Sequence, residues 1–267
     1  MFAPGAVAVA GIDCFMEPDE YLKLADLDDE IWYFRAAHAH VRRELLEHLP
    51  ASKTAEILDA GCGAGGLLKR LGSLSPHWSW SGVDFMPQAC ELARQRCPGR
   101  DIREASILEL PFADRSFDAV TCIDLFCQLA HPVESDRAIS EVARVLRPGG
   151  LLILNAPAYK WMWSYHDDAC QSRHRYSRRE FTQQIVKSGF HLNRLTHWNA
   201  LPFPLIFLKR KLFPGSPGSS DLEARSAVVE AMMRGVMGVE RAWIGVGGRF
   251  TWGTSLFASA TSARSPL

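Results

Sequence analysis

The chain has 267 residues, 47% hydrophobic and 22% charged, and its 30 basic and 30 acidic side chains cancel to a formal net charge of zero. That balance describes an ordinary globular chain, long enough for one large α/β domain with an appendage, and it excludes the global basicity that nucleic-acid binding calls for. Seven cysteines, Cys14, Cys62, Cys90, Cys97, Cys122, Cys127 and Cys170, are odd in number and scattered, with no C-x-x-C pair or zinc-ligand spacing; they predict reduced thiols, a cytoplasmic location and no metal.

In chain order, residues 1 to 16 read as a loose tail. Its apolar run from Ala6 to Ala10 has no basic n-region and is too short for a signal peptide or a membrane span. From Asp19 to Leu49 the positions Leu22, Leu27, Ile31, Phe34, Val41, Leu45 and Leu46 recur at helical spacing, predicting helices that lie over the glycine loop that follows. Trp32-Tyr33-Phe34 either packs there or lines a pocket, and packing is the commoner fate of aromatics on a helix.

Ile57-Leu58-Asp59-Ala60 reads as a short buried strand that breaks into Gly61-Cys62-Gly63-Ala64-Gly65-Gly66 and enters a helix at Leu67. This is the strand-loop-helix order of a nucleotide-binding first βα turn. Without a Cβ, Gly61, Gly63 and Gly65 let the backbone turn sharply and let a ligand reach the main chain. A lone glycine loop is weak evidence, but Gly82-Val83-Asp84 ends a second strand in a carboxylate 23 positions after Gly61, where a ribose-binding acid is expected.

Alternation continues with a helix from Pro87 to Gln95 and strands at Ile102 to Ala105 and Phe117 to Ile123. A helix from Glu134 to Leu146 is closed by Arg147-Pro148-Gly149-Gly150 and leads into a strand, Leu151 to Asn155. Strands alternating with helices imply a parallel sheet covered on both faces. The ligand should then sit beyond the carboxyl ends of the strands, where the glycine loop, Asp84, Ser106 and Asp124 converge. Further on, Ser177-Arg178-Arg179-Glu180 has the form of a capping box, predicting a helix to Ser188 and then a strand, Phe190 to Trp198. The Pro202 to Phe213 segment suits either contact with a membrane interface or lipid-like substrate, or packing within the appendage; its apolar run of nine residues, Ala200 to Leu208, cannot span a bilayer and is interrupted by Pro202 and Pro204, which favours packing. A second capping box at Ser220 to Glu223 opens a helix bearing Val229, Met232, Met233, Val236 and Trp243, and Phe250 to Ala260 reads as a last strand.

Together Asp59-Ala60-Gly61-Cys62-Gly63-Ala64-Gly65, Gly82-Val83-Asp84, Leu110-Pro111-Phe112-Ala113-Asp114-Arg115-Ser116-Phe117-Asp118 and Arg144-Val145-Leu146-Arg147-Pro148-Gly149-Gly150 resemble a class I S-adenosylmethionine-dependent methyltransferase. The segments around Tyr159, His166 and Tyr176 resemble a bacterial branch acting on small molecules. The resemblance implies a doubly wound, Rossmann-like α/β fold: a seven-stranded sheet of order 3-2-1-4-5-7-6 with the last strand antiparallel. It also implies residues 1 to 50 covering the cofactor site, a core of residues 51 to 198 and 249 to 267, and an inserted helical cap at residues 199 to 248.

Carried over residue by residue, the resemblance assigns S-adenosylmethionine to Asp59, Gly61, Cys62, Gly63 and Gly65 for its methionine part. Asp84 would take the ribose hydroxyls, with Phe85 and Met86 beside the adenine. Ser106 stands where the family often has an aspartate for the adenine amino group, so this chain departs there, and Ile107 beside it belongs to the same cofactor set. Ile123, Asp124 and Tyr33 complete the cofactor set. His166, with Asp167 beside it, is the candidate general base, because histidine titrates near neutrality; a surface histidine is the plainer reading. His131 and His174 are weaker candidates, and Gln128 stands where many relatives carry histidine. Arg173, Arg175, Arg178 and Arg179 suit either an anionic substrate or a solvated helix start.

The expected acceptor is an oxygen or nitrogen of a small molecule, a specialised metabolite or a lipid-linked intermediate, with no nucleic acid, no stable membrane insertion and room for a homodimer. Two alternatives stay open. Gly61 to Gly66 also satisfies G-x-G-x-x-G of a nicotinamide oxidoreductase, although no Tyr-x-x-x-Lys pair occurs. A non-catalytic cofactor-binding protein is the other.

Overall fold

Apolar runs ending in glycine or an acid become the strands of one sheet, and the amphipathic stretches between them become the helices that cover it. The structure, a computed structural model, describes residues 25, 28, 30–212 and 226–263. Its strands are β1 (Ala55–Ala60), β2 (Trp78–Asp84), β3 (Asp101–Glu104), β4 (Phe117–Ile123), β5 (Leu146–Pro157), β6 (Phe190–Trp198) and β7 (Ser255–Ser262). They lie in the order β3-β2-β1-β4-β5-β7-β6. The first five are parallel, and β7 runs antiparallel between β5 and β6.

The order reverses between β1 and β4, so the loops after these two strands leave to opposite sides and open a crevice at their carboxyl ends. Asp59 of β1 is paired with Gly82 of β2 and Thr121 of β4, which puts Asp59, the end of β2 and the end of β4 at one edge of the sheet.

Two apolar clusters cover the two faces. One joins Val120, Leu152 and Leu154 to Ile139 and Val142 of the helix α4 (Val133–Val145) and to Phe181 and Ile185 of α6 (Arg178–Lys187). The other joins Ile57, Ile153 and Phe257 to α1 (Trp32–His48), α2 (Gly66–Leu71), α3 (Pro87–Arg96) and α8 (Ala227–Gly245). The capping box expected at Ser177 is present, with Ser177 Oγ accepting from Glu180 N and Glu180 Oε2 from Ser177 N.

Departures from the expected elements are local. Arg147-Pro148-Gly149-Gly150 belongs to the long strand β5 rather than to a separate turn. The helix of the appendage starts at Ala227, where Ser226 Oγ accepts from Val229 N; the capping box at Ser220, Cys14 and most of the first 31 residues lie outside the described residues. Pro202 to Leu212, expected to pack inside the appendage, is instead a helix, α7 (Phe203–Leu212), with no buried residue. Its prolines fall at and just before the first turn, where a missing N–H costs nothing.

Residues 199 to 248 therefore have two unlike parts. While α7 is exposed, α8 belongs to the core: Met233, Met237 and Ile244 share the cluster of Ile57 and Phe257. A buried carboxylate ties α8 to the sheet. Glu240 accepts hydrogen bonds from the backbone N–H of Asn199, Ala200 (2.8 Å) and Leu201 (3.0 Å), the turn that leaves β6. Burial raises its pKa and these three bonds lower it. Glu240→Ala leaves three donors of a buried turn unpaired, at about 1–3 kcal/mol for a group so stranded. We expect a loss of stability of at least about 2 kcal/mol in urea unfolding, with Glu240→Gln recovering part of it; unchanged stability in Glu240→Ala would refute the anchoring role.

Candidate active site

The loop after β1 is folded back on β2 by hydrogen bonds from Gly61 N and Cys62 N to Val83 O, at 2.8 and 2.9 Å. Gly61 has φ +76°, and a Cβ there would meet Leu125 Cδ2 at 2.9 Å, so the turn needs glycine on both counts. Gly63 N donates to Asp84 Oδ2 at 2.8 Å while Met86 N donates to Asp84 Oδ1 at 3.0 Å. The acid ending β2 thus locks the glycine loop to the start of α3. Its burial raises its pKa against those backbone bonds.

Asp59 is buried at the end of β1 and accepts from Thr121 Oγ1 at 2.7 Å. Desolvation pushes it up to about 7. Asp124 follows β4 with φ 55°. It accepts from Tyr33 Oη (3.0 Å) and Asn155 Nδ2 (2.7 Å), and burial pushes it up to about 6. Asn155 Oδ1 accepts from Trp198 Nε1 at 2.7 Å, and Trp198 stacks on Tyr33 with centroids 5.0 Å apart. Two segments distant in sequence, at Tyr33 and Asn155, therefore meet on one carboxylate, and a third, at Trp198, braces both of them.

A cavity of about 280 Å³ opens at this edge. Tyr33, Asp59, Gly61, Cys62, Gly63, Asp84, Ile123, Asp124, His166 and Asp167 line it. Gly65, Phe85, Met86, Ser106 and Ile107 do not form its wall. Gly65 caps α2, Ser106 Oγ accepts from Leu108 N at 3.1 Å, Ile107 is buried in the apolar cluster, and Phe85 is exposed.

The pairing of His166 with Asp167 is corrected. Asp167 is the third residue of a capping box on α5 (Tyr165–Ala169), its Oδ2 accepting from Ser164 N at 2.9 Å. Its Oδ1 takes Arg175 Nε at 2.5 Å, with both side chains 2% exposed. Consecutive residues on a helix point about 100° apart, so the carboxylate serves the helix cap and Arg175 while His166 faces the cavity beside Cys170 Sγ, 3.7 Å from its Nδ1. The same pair absorbs Arg175, and Arg173 pairs with Glu134 at 3.3 Å, which removes both from a free anion patch. His131 and His174 stack on each other at 4.3 Å away from the cavity wall, and burial pushes His174 down to about 4.

Several wall residues carry no sequence signal, because they come from distant elements: Asp28, His38, Leu125, Asn199, Ile206, Arg210, Thr254 and Ser255. Asp28 has a particular place. A Cβ added to Gly66 would fall 1.3 Å from Asp28 Oδ2, so a carboxylate already occupies the N-terminus of α2. A dinucleotide would put its pyrophosphate at that helix start, and the acid there opposes it. A cation fits the cavity instead. The hydrogen-bond donors to Asp59 and Asp124 are a hydroxyl, a phenol and an amide, all neutral, leaving two buried acids for a positively charged ligand to compensate.

Residues 58–154 match the family model described as "Methyltransferase domain". Demethylmenaquinone methyltransferase of Deinococcus radiodurans is 36% identical over 115 residues, covering 42% of this chain and 45% of that relative. A bovine protein described as "Probable tRNA methyltransferase 9B" is 34% identical over 137 residues, covering 51% of this chain and 26% of its own length. The chain thus spans less than half the length of these curated relatives. Among solved structures, an S-adenosylmethionine-dependent methyltransferase from Methanosarcina mazei superimposes with a TM-score of 0.55 at 18% identity, over 83% of this chain and 98% of that one. The matched segment runs from the end of β1 through the glycine loop, Asp84 and Asp124, so residues 58–154 are a methyltransferase domain, and the sheet order of the whole chain is the one the resemblance to class I S-adenosylmethionine-dependent methyltransferases implies.

Proposed function

We propose that this protein transfers the methyl group of S-adenosylmethionine to an oxygen or nitrogen atom of a small molecule. The observation that carries the reading is the pair of buried acids, Asp59 and Asp124, on the wall of one cavity beside a glycine loop locked by Asp84. S-adenosylmethionine supplies a methyl group already activated on a sulfonium, and it brings the positive charges such a wall calls for. Asp59 and Asp124 are placed to receive the ammonium end, with Tyr33 and Asn155 fixing the direction of the Asp124 carboxylate. Asp84 is assigned to the ribose hydroxyls; Phe85, Met86, Ser106 and Ile107 lie outside the cavity wall and are given no contact with the adenine.

The acidic start of α2 weighs against the nicotinamide alternative. An acceptor of small size is favoured by the neutral charge of the chain, since nucleic-acid affinity rests on neutralising phosphates. Placement is then the main task. Holding methyl and nucleophile in line supplies up to roughly 7–11 kcal/mol of the barrier, and a positioned base adds about 10²- to 10⁴-fold. His166 faces the cavity and is assigned that role where the acceptor must lose a proton.

The cofactor assignment has a pH signature. Both acids must be ionised to receive an ammonium, and their pKa values stand at about 7 and about 6. Affinity for S-adenosylhomocysteine should therefore rise from pH 5 to 8, by up to about tenfold per pH unit per group below its pKa. Stability of the ligand-free protein should run the other way. Raised folded-state values mean that the native protein holds more protons than the unfolded chain between about pH 4 and 7, so its stability falls as pH rises through that window. Calorimetry over this range checks both, with Asp59→Asn expected to flatten the upper part of the affinity curve. Affinity independent of pH, or preferential binding of NAD, would sink the assignment.

His166 and Asp167 should separate cleanly on substitution. His166→Ala should lower the single-turnover methyl-transfer rate by about 10²- to 10⁴-fold at saturating cofactor, with little effect on stability. Asp167→Ala strands buried Arg175 and should cost about 3–5 kcal/mol of stability. A His166→Ala enzyme as fast as the parent leaves placement alone as the mechanism.

A further inference from the structure

The helix α7 has apolar residues on both sides. Phe203, Ile206 and Arg210, spaced i, i+3, i+7, face inward: Phe203 packs edge-on against Trp161 and Tyr159, with centroids 6.1 and 6.4 Å apart, and Ile206 and Arg210 line the cavity. Leu205, Leu208 and Leu212, again spaced i, i+3, i+7, form an outer row that is 62%, 47% and 61% exposed. Trp161 packs on the Phe203 and Phe207 side of the helix, edge-on to Phe207 at 5.8 Å, and is itself 53% exposed. A contiguous row of exposed leucines on a surface helix marks a face that meets an apolar partner. At the C-terminal end of the helix Arg210 belongs to the cavity wall, and Lys209 and Lys211 are the exposed cations, with Lys211 Nζ also donating to Trp163 O at 3.2 Å.

Those cations decide between occupants. Lysine is depleted in the cores of protein–protein interfaces, whereas an apolar face with tryptophan at its border and basic residues at one end is the composition that settles into an anionic headgroup layer. No described helix is long and apolar enough to cross a membrane, so the contact is with the surface of a bilayer. Its position matters as much as its composition, because the inner side of the same helix is part of the cavity wall. We propose that α7, together with Trp161, lays the mouth of the cavity on an anionic lipid bilayer, and that the methyl acceptor is the polar head of an amphiphile held there. The second half rests on the methyltransferase reading; the first does not.

The test is co-sedimentation of the full chain with vesicles of phosphatidylcholine alone or with roughly one-third phosphatidylglycerol. Binding to the anionic vesicles should exceed that of the double variant Leu205→Glu, Leu208→Glu by about tenfold or more, and it should weaken with added salt. Neutral vesicles should bind less. A blue shift of tryptophan emission on vesicle addition should shrink in Trp161→Phe. Neither Leu205 nor Leu208 lines the cavity, so S-adenosylhomocysteine affinity should be unchanged in the double variant. If that variant fails to fold, Lys209→Glu with Lys211→Glu replaces it and should lose the preference for anionic vesicles. The proposal is overturned if the parent binds neither vesicle, if the variants bind as well as the parent, or if the double variant only breaks a dimer of the parent in sedimentation velocity. Failure of the methyltransferase reading would appear separately, as absence of S-adenosylhomocysteine binding with vesicle binding intact.

Discussion

The site depends on keeping acids buried at the carboxyl ends of parallel strands with neutral groups as their hydrogen-bond donors. Asp59, Asp84 and Asp124 end or follow β1, β2 and β4, and each is held by neutral donors: a threonine hydroxyl, two backbone N–H groups, a phenol and an amide. Hydrogen bonds from neutral groups fix the direction of a carboxylate while compensating only part of its desolvation. The remainder appears as raised pKa values at all three positions. Filling the cavity with a salt bridge from the protein would stabilise the empty fold and abolish its preference for a cationic ligand. The structure keeps its fully buried ion pair, Asp167 with Arg175, directed to holding α5 and the strand end at Ala158 together.

Around these acids the two faces of the sheet have different tasks. The face carrying α4 and α6 is an apolar cluster of aliphatic and aromatic side chains, with no part in the cavity beyond supporting β4 and β5. The other face carries α1 and α8, and its contacts reach the site through single hydrogen bonds. Trp32 N donates to Glu230 of α8 at 2.9 Å, and the next residue, Tyr33, donates to Asp124. Glu240, further along α8, holds the turn leaving β6, so that Asn199 reaches the cavity wall. One helix from the appendage thus positions both an N-terminal tyrosine and a C-terminal loop.

Much of the fold was legible because its signals are local. Glycines after a strand, an acid at the end of the next, a proline opening α3 and a serine capping box opening α6 each act within a few residues, and the elements they predict are present with bounds shifted by only a residue or two. Asp59, Asp84 and Asp124 were legible for the same reason, as strand ends. What the sequence hid depends on distance. Asp28 on the start of α2, and Asn199, Thr254 and Ser255 in the wall, are set by the packing of segments far apart in the chain. Adjacency of His166 and Asp167 in sequence does not say which way either side chain points, and helix geometry with a capping box turns Asp167 towards Arg175. The apolar run of α7 was read as packed because composition alone does not say which side of a helix has a neighbour.

Methyl transfer from a sulfonium asks a protein chiefly for alignment, and alignment is lost if the wall can move by much less than the length of a side chain. Rigidity here is distributed through several partners. The Asp124 carboxylate is fixed by Tyr33 and Asn155, Asn155 by Trp198, and Trp198 by stacking on Tyr33, which closes a loop of contacts through α1, β4, β5 and β6. In such a ring no single rotamer can change without breaking a buried hydrogen bond, and each broken bond leaves an unpaired polar atom in a dry interior. The wall at α7 is held differently: Ile206 and Arg210 belong to a helix with no buried residue. The cavity therefore combines a stiff side, at the strand ends where a cofactor would have to be held in one pose, with a side at α7 that lies at the surface of the fold.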